Sequence, residues 1–211
     1  MFVSDDNIYM LVNHAEGLPG KLKAFRDPAY FRDPADGKNY VVFAASLKNS
    51  PHEANGAVGI ARASDDTLAH WELLPPLLSA DGINNELERP QLVYAKGIYY
   101  VVWSTQSHVF AEGLEAGPTG MYGMSAPSLF GDYTPLNGSG LVVANPAAEP
   151  LQAYSWCVLG DLSVTSFVDY WGMAGRTLAE HPDLVRRQFG GVPAPFFKIA
   201  LNGNQAYLVT R

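Results

Sequence analysis

The chain has 211 residues, 14 basic against 21 acidic side chains, a formal charge of -7 and 47% hydrophobic residues. This length and composition fit a folded chain of one or two domains and exclude a disordered one. The negative charge argues against a nucleic-acid partner, because a phosphate backbone requires a basic face.

Strand signals recur along the whole chain. Glycine (20) and proline (15) are plentiful and aromatic residues reach 12%, whereas charged residues make up only 17%. This composition is typical of short strands joined by many turns. Short runs bounded by Gly, Pro, Asn or Asp predict strands at residues 7–12, 39–45, 57–63, 91–94, 98–103, 120–125, 140–144, 153–159, 163–168, 194–200 and 205–209.

Two hairpins and one helix complete the predicted elements. Lys96-Gly97 predicts one hairpin turn and Asn202-Gly203 another. Residues 177–189 are the only helical candidate, and Pro182 limits them to one short helix. Evenly spaced strands predict an all-β sandwich, barrel or propeller, and periodicity alone does not choose among the three.

The first candidate for chemistry is Phe25-Arg26-Asp27-Pro28. The proline favours an extended conformation at Asp27, and Arg26 would lower the pKa of that carboxyl if it lay close. The alternative interpretation is an ordinary turn, because Arg32-Asp33-Pro34 repeats the pattern six residues later.

The second candidate is the segment from Glu86 to Arg89. On a strand, Glu86 and Glu88 would lie on the same face. Two carboxylates held close together raise the pKa of one of them, and Arg89 would keep the other ionised. The alternative is a solvated edge strand with a compensating arginine.

Together, these two segments suggest glycoside cleavage, the common reaction built on paired Asp and Glu residues. The five histidines show no metal-ligand spacing, so the sequence predicts no metal and no cofactor. Cys157, the only cysteine, lies in a hydrophobic run and is expected to be buried rather than reactive.

An ordered set of motifs resembles the levansucrase/fructosyltransferase group, glycoside hydrolase family 68. The set begins with the Arg-Asp-Pro motif at Asp27 and continues with the Glu-x-Glu-Arg-Pro-Gln motif that ends at Gln91. It goes on through three further stretches, residues 133–141, 152–155 and 189–195. The resemblance implies a five-bladed β-propeller, of which residues 1–211 would form the C-terminal part, about three blades of a single catalytic domain. It also implies sucrose and fructan or fructo-oligosaccharide as partners.

The resemblance assigns roles residue by residue. Asp27 corresponds to the transition-state stabiliser, and Glu88 to the general acid/base that protonates the leaving glucosyl oxygen. The remaining matched positions would bind or orient substrate: Arg26, Glu86, Arg89, Gln106, His108 and Tyr154.

Two departures from the family pattern change what we expect. Relatives carry Arg or His where this chain has Gln106, with His108 two residues on, so hydrolysis or short oligosaccharides are favoured over long levan. The family nucleophile, an aspartate in a Trp-Asp motif far upstream of Arg-Asp-Pro, has no counterpart, because neither Asp5 nor Asp6 has a tryptophan nearby. A retaining mechanism requires that nucleophile, so we expect the isolated chain to be inactive.

The sequence therefore predicts levansucrase-type fructosyl transfer from sucrose as the parent activity. The alternatives are an invertase-like β-fructofuranosidase, which shares Arg-Asp-Pro but typically has Glu-Cys-Pro at the acid/base, and a non-catalytic carbohydrate-binding propeller remnant.

No stretch has the roughly 18 apolar residues of a membrane helix, so no membrane partner is expected. The chain shows no signal peptide, and the full-length parent is expected to be extracellular.

Overall fold

A computed structural model describes residues 7–11 and 21–209. Apart from the short helix α1 (Leu184–Arg187) and a 3-10 turn (Ser107–Val109), the regular structure in these ranges is β. The strands are β1 (Phe25–Arg32), β2 (Asn39–Ser46), β3 (Gly56–Ala63), β4 (Trp71–Ser79), β5 (Glu88–Ala95), β6 (Ile98–Thr105), β7 (Gly120–Ala126), β8 (Thr134–Pro135), β9 (Leu141–Ala144), β10 (Ala153–Val158), β11 (Ser163–Tyr170), β12 (Phe189–Pro193), β13 (Phe197–Asn202) and β14 (Gln205–Val209).

The strands form three antiparallel sheets that follow one another along the chain. The first has the order β1-β2-β3-β4, and the second the order β5-β6-β7-β8 with β9 also paired to β7. The third has the order β10-β11-β13-β14, and β12 pairs with β11. The first strand of the second sheet, β5, contacts both β1 and β10, so the leading strands of the three sheets lie side by side.

Apolar side chains fill the spaces between the sheets. Val42, Ile60 and Val101 are fully buried in a cluster that joins the first sheet to the second. A second cluster joins the second sheet to the third, with Leu136 and Val164 fully buried. Because β2 is buried along its whole length, it reads as a continuous apolar run rather than an alternating one.

The same irregularity interrupts the leading strand of every sheet. From Arg26 to Ala29, β1 advances three residues while its partner β2 advances only two, so β1 has one extra residue. The same extra residue occurs in β5 after Glu88 and in β10 after Tyr154. Each β-bulge contains a non-glycine residue in the left-handed region: Asp27 (φ 59°), Arg89 (φ 48°) and Ser155 (φ 61°). The chain therefore repeats one structural unit three times, in agreement with the three blades that the family resemblance implies.

Most of the predicted strands agree with the structure, but the prediction at residues 7–12 is wrong. Asn7 and Ile8 form a turn and Tyr9 makes a single bridge to Leu47, while residue 12 lies outside the described residues. Four strands escaped prediction: β1, β4, β8 and β12. Prolines lie inside β1, β4 and β8 and two adjacent glycines lie in β12, and both residue types weaken a strand signal.

The turn and helix predictions also have clear outcomes. Lys96 and Gly97 turn the β5–β6 hairpin with φ of 53° and 81°, as expected for a two-residue turn. The β13–β14 hairpin is present, but its central residues are Gly203 and Asn204 rather than Asn202 and Gly203. The predicted helix is reduced to the single turn α1 after Pro182. Within the described ranges, no helix is long and apolar enough to cross a membrane.

Candidate active site

The three bulges bring their irregular residues together. Asp27, Arg89 and Ser155, one from each sheet, line a single cavity of about 240 Å³. Because every leading strand has its bulge at the same ladder position, residues about 60 positions apart in sequence lie together. The backbone N–H of Arg89 donates to Asp27 Oδ2 at 3.2 Å, which ties the second bulge to the first.

Arg26 lies at the centre of the acidic residues. Its Nη2 lies 3.4 Å from Glu86 Oε2 and 3.1 Å from Glu88 Oε1, and its Nε lies 3.8 Å from Asp27 Oδ2. Both glutamates reach the same guanidinium nitrogen, although Glu86 precedes β5 and does not lie on a strand as expected. One cation thus neutralises part of a site that holds three carboxylates.

Glu86 is the carboxyl whose protonation the site changes. Burial raises the pKa of Glu86, the negative charge of Glu88 raises it further, and the positive charge of Arg26 opposes both. The sequence anticipated the effect of two close carboxylates, but burial is the larger cause.

Tyr154 joins the third sheet to the acidic residues of the second. Its hydroxyl donates a short hydrogen bond to Glu88 Oε2, while Arg26 contacts the other oxygen of the same carboxylate. Burial raises the pKa of Tyr154, and the charge and hydrogen bond of Glu88 raise it further, whereas a hydrogen bond with Gln106 lowers it. At neutral pH the phenol therefore acts as a donor, and it fixes the orientation of the Glu88 carboxylate.

The segment that carries Glu86 is held by residues that the sequence analysis did not single out. Lys23 Nζ donates to Asn55 Oδ1 at 2.9 Å and to Asn85 Oδ1 at 2.8 Å. Thr105 Oγ1 donates to the carbonyl of Glu86 at 2.9 Å. No motif marks Lys23, and only the contact between the first two sheets reveals its place.

The side chains of two predicted site residues are not paired with the glutamates. The side chain of Arg89 is exposed and forms no ion pair with a carboxylate in the described part of the chain, so Arg26, not Arg89, is the counterion of the glutamates. His108 is exposed in the 3-10 turn and lines a different cavity, of about 550 Å³, with His52 and Glu112. The structure therefore does not bring His108 into contact with the acidic residues.

The second Arg-Asp-Pro segment has a structural place. Asp33 is buried, and its Oδ1 accepts hydrogen bonds from the Tyr99 hydroxyl at 2.6 Å and from the Ala35 N–H at 2.9 Å. The turn interpretation is correct for this copy, whereas Asp27 lies in the site. Among residues 7–11 and 21–209, no three His, Cys, Asp or Glu side chains are placed to hold a metal ion.

The site holds three carboxylates, a shared cation and a tyrosine donor at the meeting point of three sheets. Paired carboxylates are the usual basis of glycoside cleavage. A family model described as Levansucrase/Invertase matches residues 48–211. The levansucrase of Rahnella aquatilis is 36% identical over 208 residues, covering 87% of this chain and 48% of that protein. Levansucrase Lscbeta of Pseudomonas syringae pv. actinidiae is 39% identical over 207 residues, covering 87% and 46%. The chain belongs to the levansucrase/invertase family, glycoside hydrolase family 68.

Solved structures agree on the fold. An inulosucrase from Halalkalicoccus jeotgali bound to kestose matches with a TM-score of 0.89 and 40% identity, over 98% of this chain and 54% of that one. Bacillus subtilis levansucrase, at 20% identity and a TM-score of 0.76, has the same fold. The three sheets are thus blades of a partial β-propeller, as predicted, and the chain spans about half the length of the relatives it matches.

Proposed function

We propose that this chain provides the acid/base and stabilising side of a fructosyl-transferring site that acts on sucrose. The observation that carries the proposal is the pairing of Glu88 with both Tyr154 and Arg26, within a group of residues that also contains Asp27. Membership of a family whose relatives are named levansucrase supports sucrose as the fructosyl donor.

In this proposal, Glu88 is the general acid that protonates the glycosidic oxygen of sucrose and later the base that activates the acceptor. Its two oxygens have different partners, Tyr154 and Arg26, so the carboxylate is held in one orientation. Asp27 stabilises the oxocarbenium-like transition state through the fructosyl hydroxyls. Glu86 and Arg26 bind sugar hydroxyls or position the two acidic residues, and Arg89 contributes its backbone N–H to Asp27.

The described residues provide no catalytic nucleophile for this reaction. Retaining transfer requires a nucleophile about 5–5.5 Å from the acid/base carboxyl. The site carboxylates in the described residues are Asp27, Glu86 and Glu88, and each already has a role. A polypeptide of these 211 residues is therefore expected to release no glucose from sucrose.

The product preference follows from Gln106. Gln106 places a neutral amide beside Tyr154, at a position where the family resemblance implies Arg or His. A neutral amide forms weaker hydrogen bonds with an acceptor sugar than a charged side chain does. Transfer to water or to short acceptors, rather than growth of long levan, is the expected outcome. The extracellular location of the full-length parent stays a prediction.

The test uses two proteins. The first is the purified chain, which should leave sucrose intact, and glucose release from it would contradict the missing nucleophile. The second is a hybrid in which this chain is fused to the part of Rahnella aquatilis levansucrase that its match leaves uncovered. The hybrid should release glucose from sucrose.

Variants of the hybrid test the individual roles. Glu88→Gln and Asp27→Asn should each reduce glucose release by about 10²-fold or more, the usual contribution of a positioned acid/base or charge-stabilising group. Glu72→Gln is the matched control, because the Glu72 side chain is exposed and its ion pair with Arg62 lies outside the site. A hybrid that melts cooperatively but releases no glucose would contradict the proposed function.

A further inference from the structure

The Tyr154–Glu88 hydrogen bond joins two sheets, so its geometry depends on how the third sheet is held against the second. Glu88 begins β5 and Tyr154 lies in β10. No ladder of backbone hydrogen bonds connects these two strands. Side chains must therefore hold them in position.

Two side chains of the second sheet bind the backbone of β10 directly. Ser104 Oγ accepts a hydrogen bond from the N–H of Trp156 at 3.0 Å, and Gln91 Oε1 accepts one from the N–H of Val158 at 2.7 Å. Alternate N–H groups of a strand point to the same side, so both bonds lie on the edge of β10 that faces the second sheet. Gln91 Nε2 also donates to Cys157 Sγ at 2.8 Å. The two side chains thus replace a neighbouring strand along this edge.

These two anchors are tied to Glu88 itself. In the β5–β6 ladder, Ser104 is the partner of Glu88, and Gln91, paired with Val102, is the first residue after the bulge. Ser104 is fully buried, and Trp156, two residues after Tyr154, is almost so. A single buried hydroxyl therefore connects the rung that carries Glu88 to the strand that carries Tyr154.

We propose that Gln91 and Ser104 are positioning residues that hold the Tyr154 hydroxyl on the Glu88 carboxylate. The inference rests on the proposed function only in that Glu88 is the acid/base. In the described part of the chain, the Glu88 carboxylate is hydrogen-bonded by Arg26 and Tyr154 and by neither of these two residues. Removing either anchor frees β10 to move relative to β5, and the tyrosine hydroxyl then leaves Glu88 although both site residues are unchanged.

The test is the fluorine NMR spectrum of the chain labelled with 3-fluorotyrosine. Tyr154→Phe assigns the Tyr154 resonance, and Glu88→Gln shows how far that resonance moves when the charged partner is lost. Gln91→Met keeps the side-chain length and removes both hydrogen bonds, and Ser104→Ala removes the acceptor of Trp156. In both variants, the Tyr154 resonance should shift in the same direction as in Glu88→Gln, while the other tyrosine resonances stay in place.

The controls are two substitutions of the same kind away from the β10 edge. Ser125→Ala removes a buried hydroxyl from β7, and Gln205→Met changes an amide in β14 that donates to Asn204 Oδ1. Both should leave the Tyr154 resonance unmoved. A Tyr154 resonance at its wild-type position in Gln91→Met and Ser104→Ala would overturn the proposal. If Ser104→Ala fails to fold, Gln91→Met decides alone, because Gln91 is only partly buried. The spectrum needs no turnover, so the result is independent of the sucrose assay.

Discussion

Replacing Arg26 with methionine tests whether the acidic residues form a mutually dependent group. Arg26 contacts Glu86 and Glu88, whose side chains are only 7% and 16% exposed, while its own side chain is 34% exposed. Breaking a fully buried ion pair costs about 3–5 kcal/mol, and breaking an exposed one about 1 kcal/mol or less. Because Arg26 is partly solvated, we expect Arg26→Met to lower the free energy of unfolding by about 2–3 kcal/mol at neutral pH.

The loss should depend on pH in a defined direction. Without Arg26, the pKa of Glu86 rises beyond the elevation that burial and Glu88 already cause. When the pKa of an acid is higher in the folded state than in the unfolded state, its ionisation destabilises the folded protein. That loss of stability develops as the pH rises from the unfolded-state pKa through the folded-state pKa. At about pH 4, where Glu86 is protonated, it needs no counterion, and the loss should shrink to about 1 kcal/mol or less.

The assay is urea denaturation of wild type and variant at both pH values, followed by tryptophan fluorescence. Arg62→Met is the matched control, because Arg62 pairs with Glu72 at 2.7 Å but both side chains are exposed. The control should lose about 1 kcal/mol or less at either pH. Equal losses for Arg26→Met at the two pH values, or a loss no larger than that of Arg62→Met, would refute the reasoning.

Three further predictions concern the same chain. Glu86→Gln should reduce the fall in urea midpoint expected of wild type as the pH rises above the ordinary carboxyl range. Asp169, whose pKa burial also raises, contributes to the same fall, and an unchanged slope in the variant would contradict the raised pKa of Glu86. Gly56→Ala should destabilise by about 1–3 kcal/mol, because a Cβ there would lie 2.7 Å from the backbone of Asn84, in the segment that leads to Glu86. Gly160→Ala, which meets nothing within 4 Å, should be neutral, and equal denaturation midpoints for the two glycine variants would count against this packing. Finally, the purified chain should self-associate, because apolar side chains in and beside the strands of its third sheet are exposed: Trp171, Phe189, Val192, Phe196, Tyr207 and Leu208. Sedimentation velocity at several concentrations checks this, and a concentration-independent monomer would contradict it.

The sequence predicts the all-β class and the identity of the acidic residues, but not how they meet. Glu86 and Glu88 stand out because they are two residues apart beside an arginine, and that spacing is local. Arg89 is the arginine next to the glutamates in sequence, but Arg26 is the one that contacts them in space. In sequence, Arg26 is 60 residues from Glu86 and 62 from Glu88. Only the lateral contact of β1 with β5 decides which arginine is the counterion.

The bulges explain several of the sequence-based errors. Each leading strand contains a residue with positive φ that is not glycine, so no glycine marks the position. Pro28 favours an extended Asp27, but Asp27 has a φ of 59° because both residues lie in the bulge of β1. This strand is at the edge of its sheet, where proline is tolerated. Lys23 and Ser104 act across sheets and belong to no motif. Gln91 ends a motif, but the motif does not indicate its contact with β10, which follows from packing.

The assignment of roles to Asp27 and Glu88 is tested most directly by changing the leaving group. Fluoride leaves without protonation, so a fructosyl fluoride needs no general acid for its first step, whereas sucrose does. In the hybrid enzyme, Glu88→Ala should therefore lose about 10²-fold or more in glucose release from sucrose while first-turnover fluoride release stays close to wild type. Asp27→Asn should impair both substrates, because both pass through an oxocarbenium-like transition state. Equal losses on the two substrates for Glu88→Ala would contradict the account, since Glu88 would then not be the general acid.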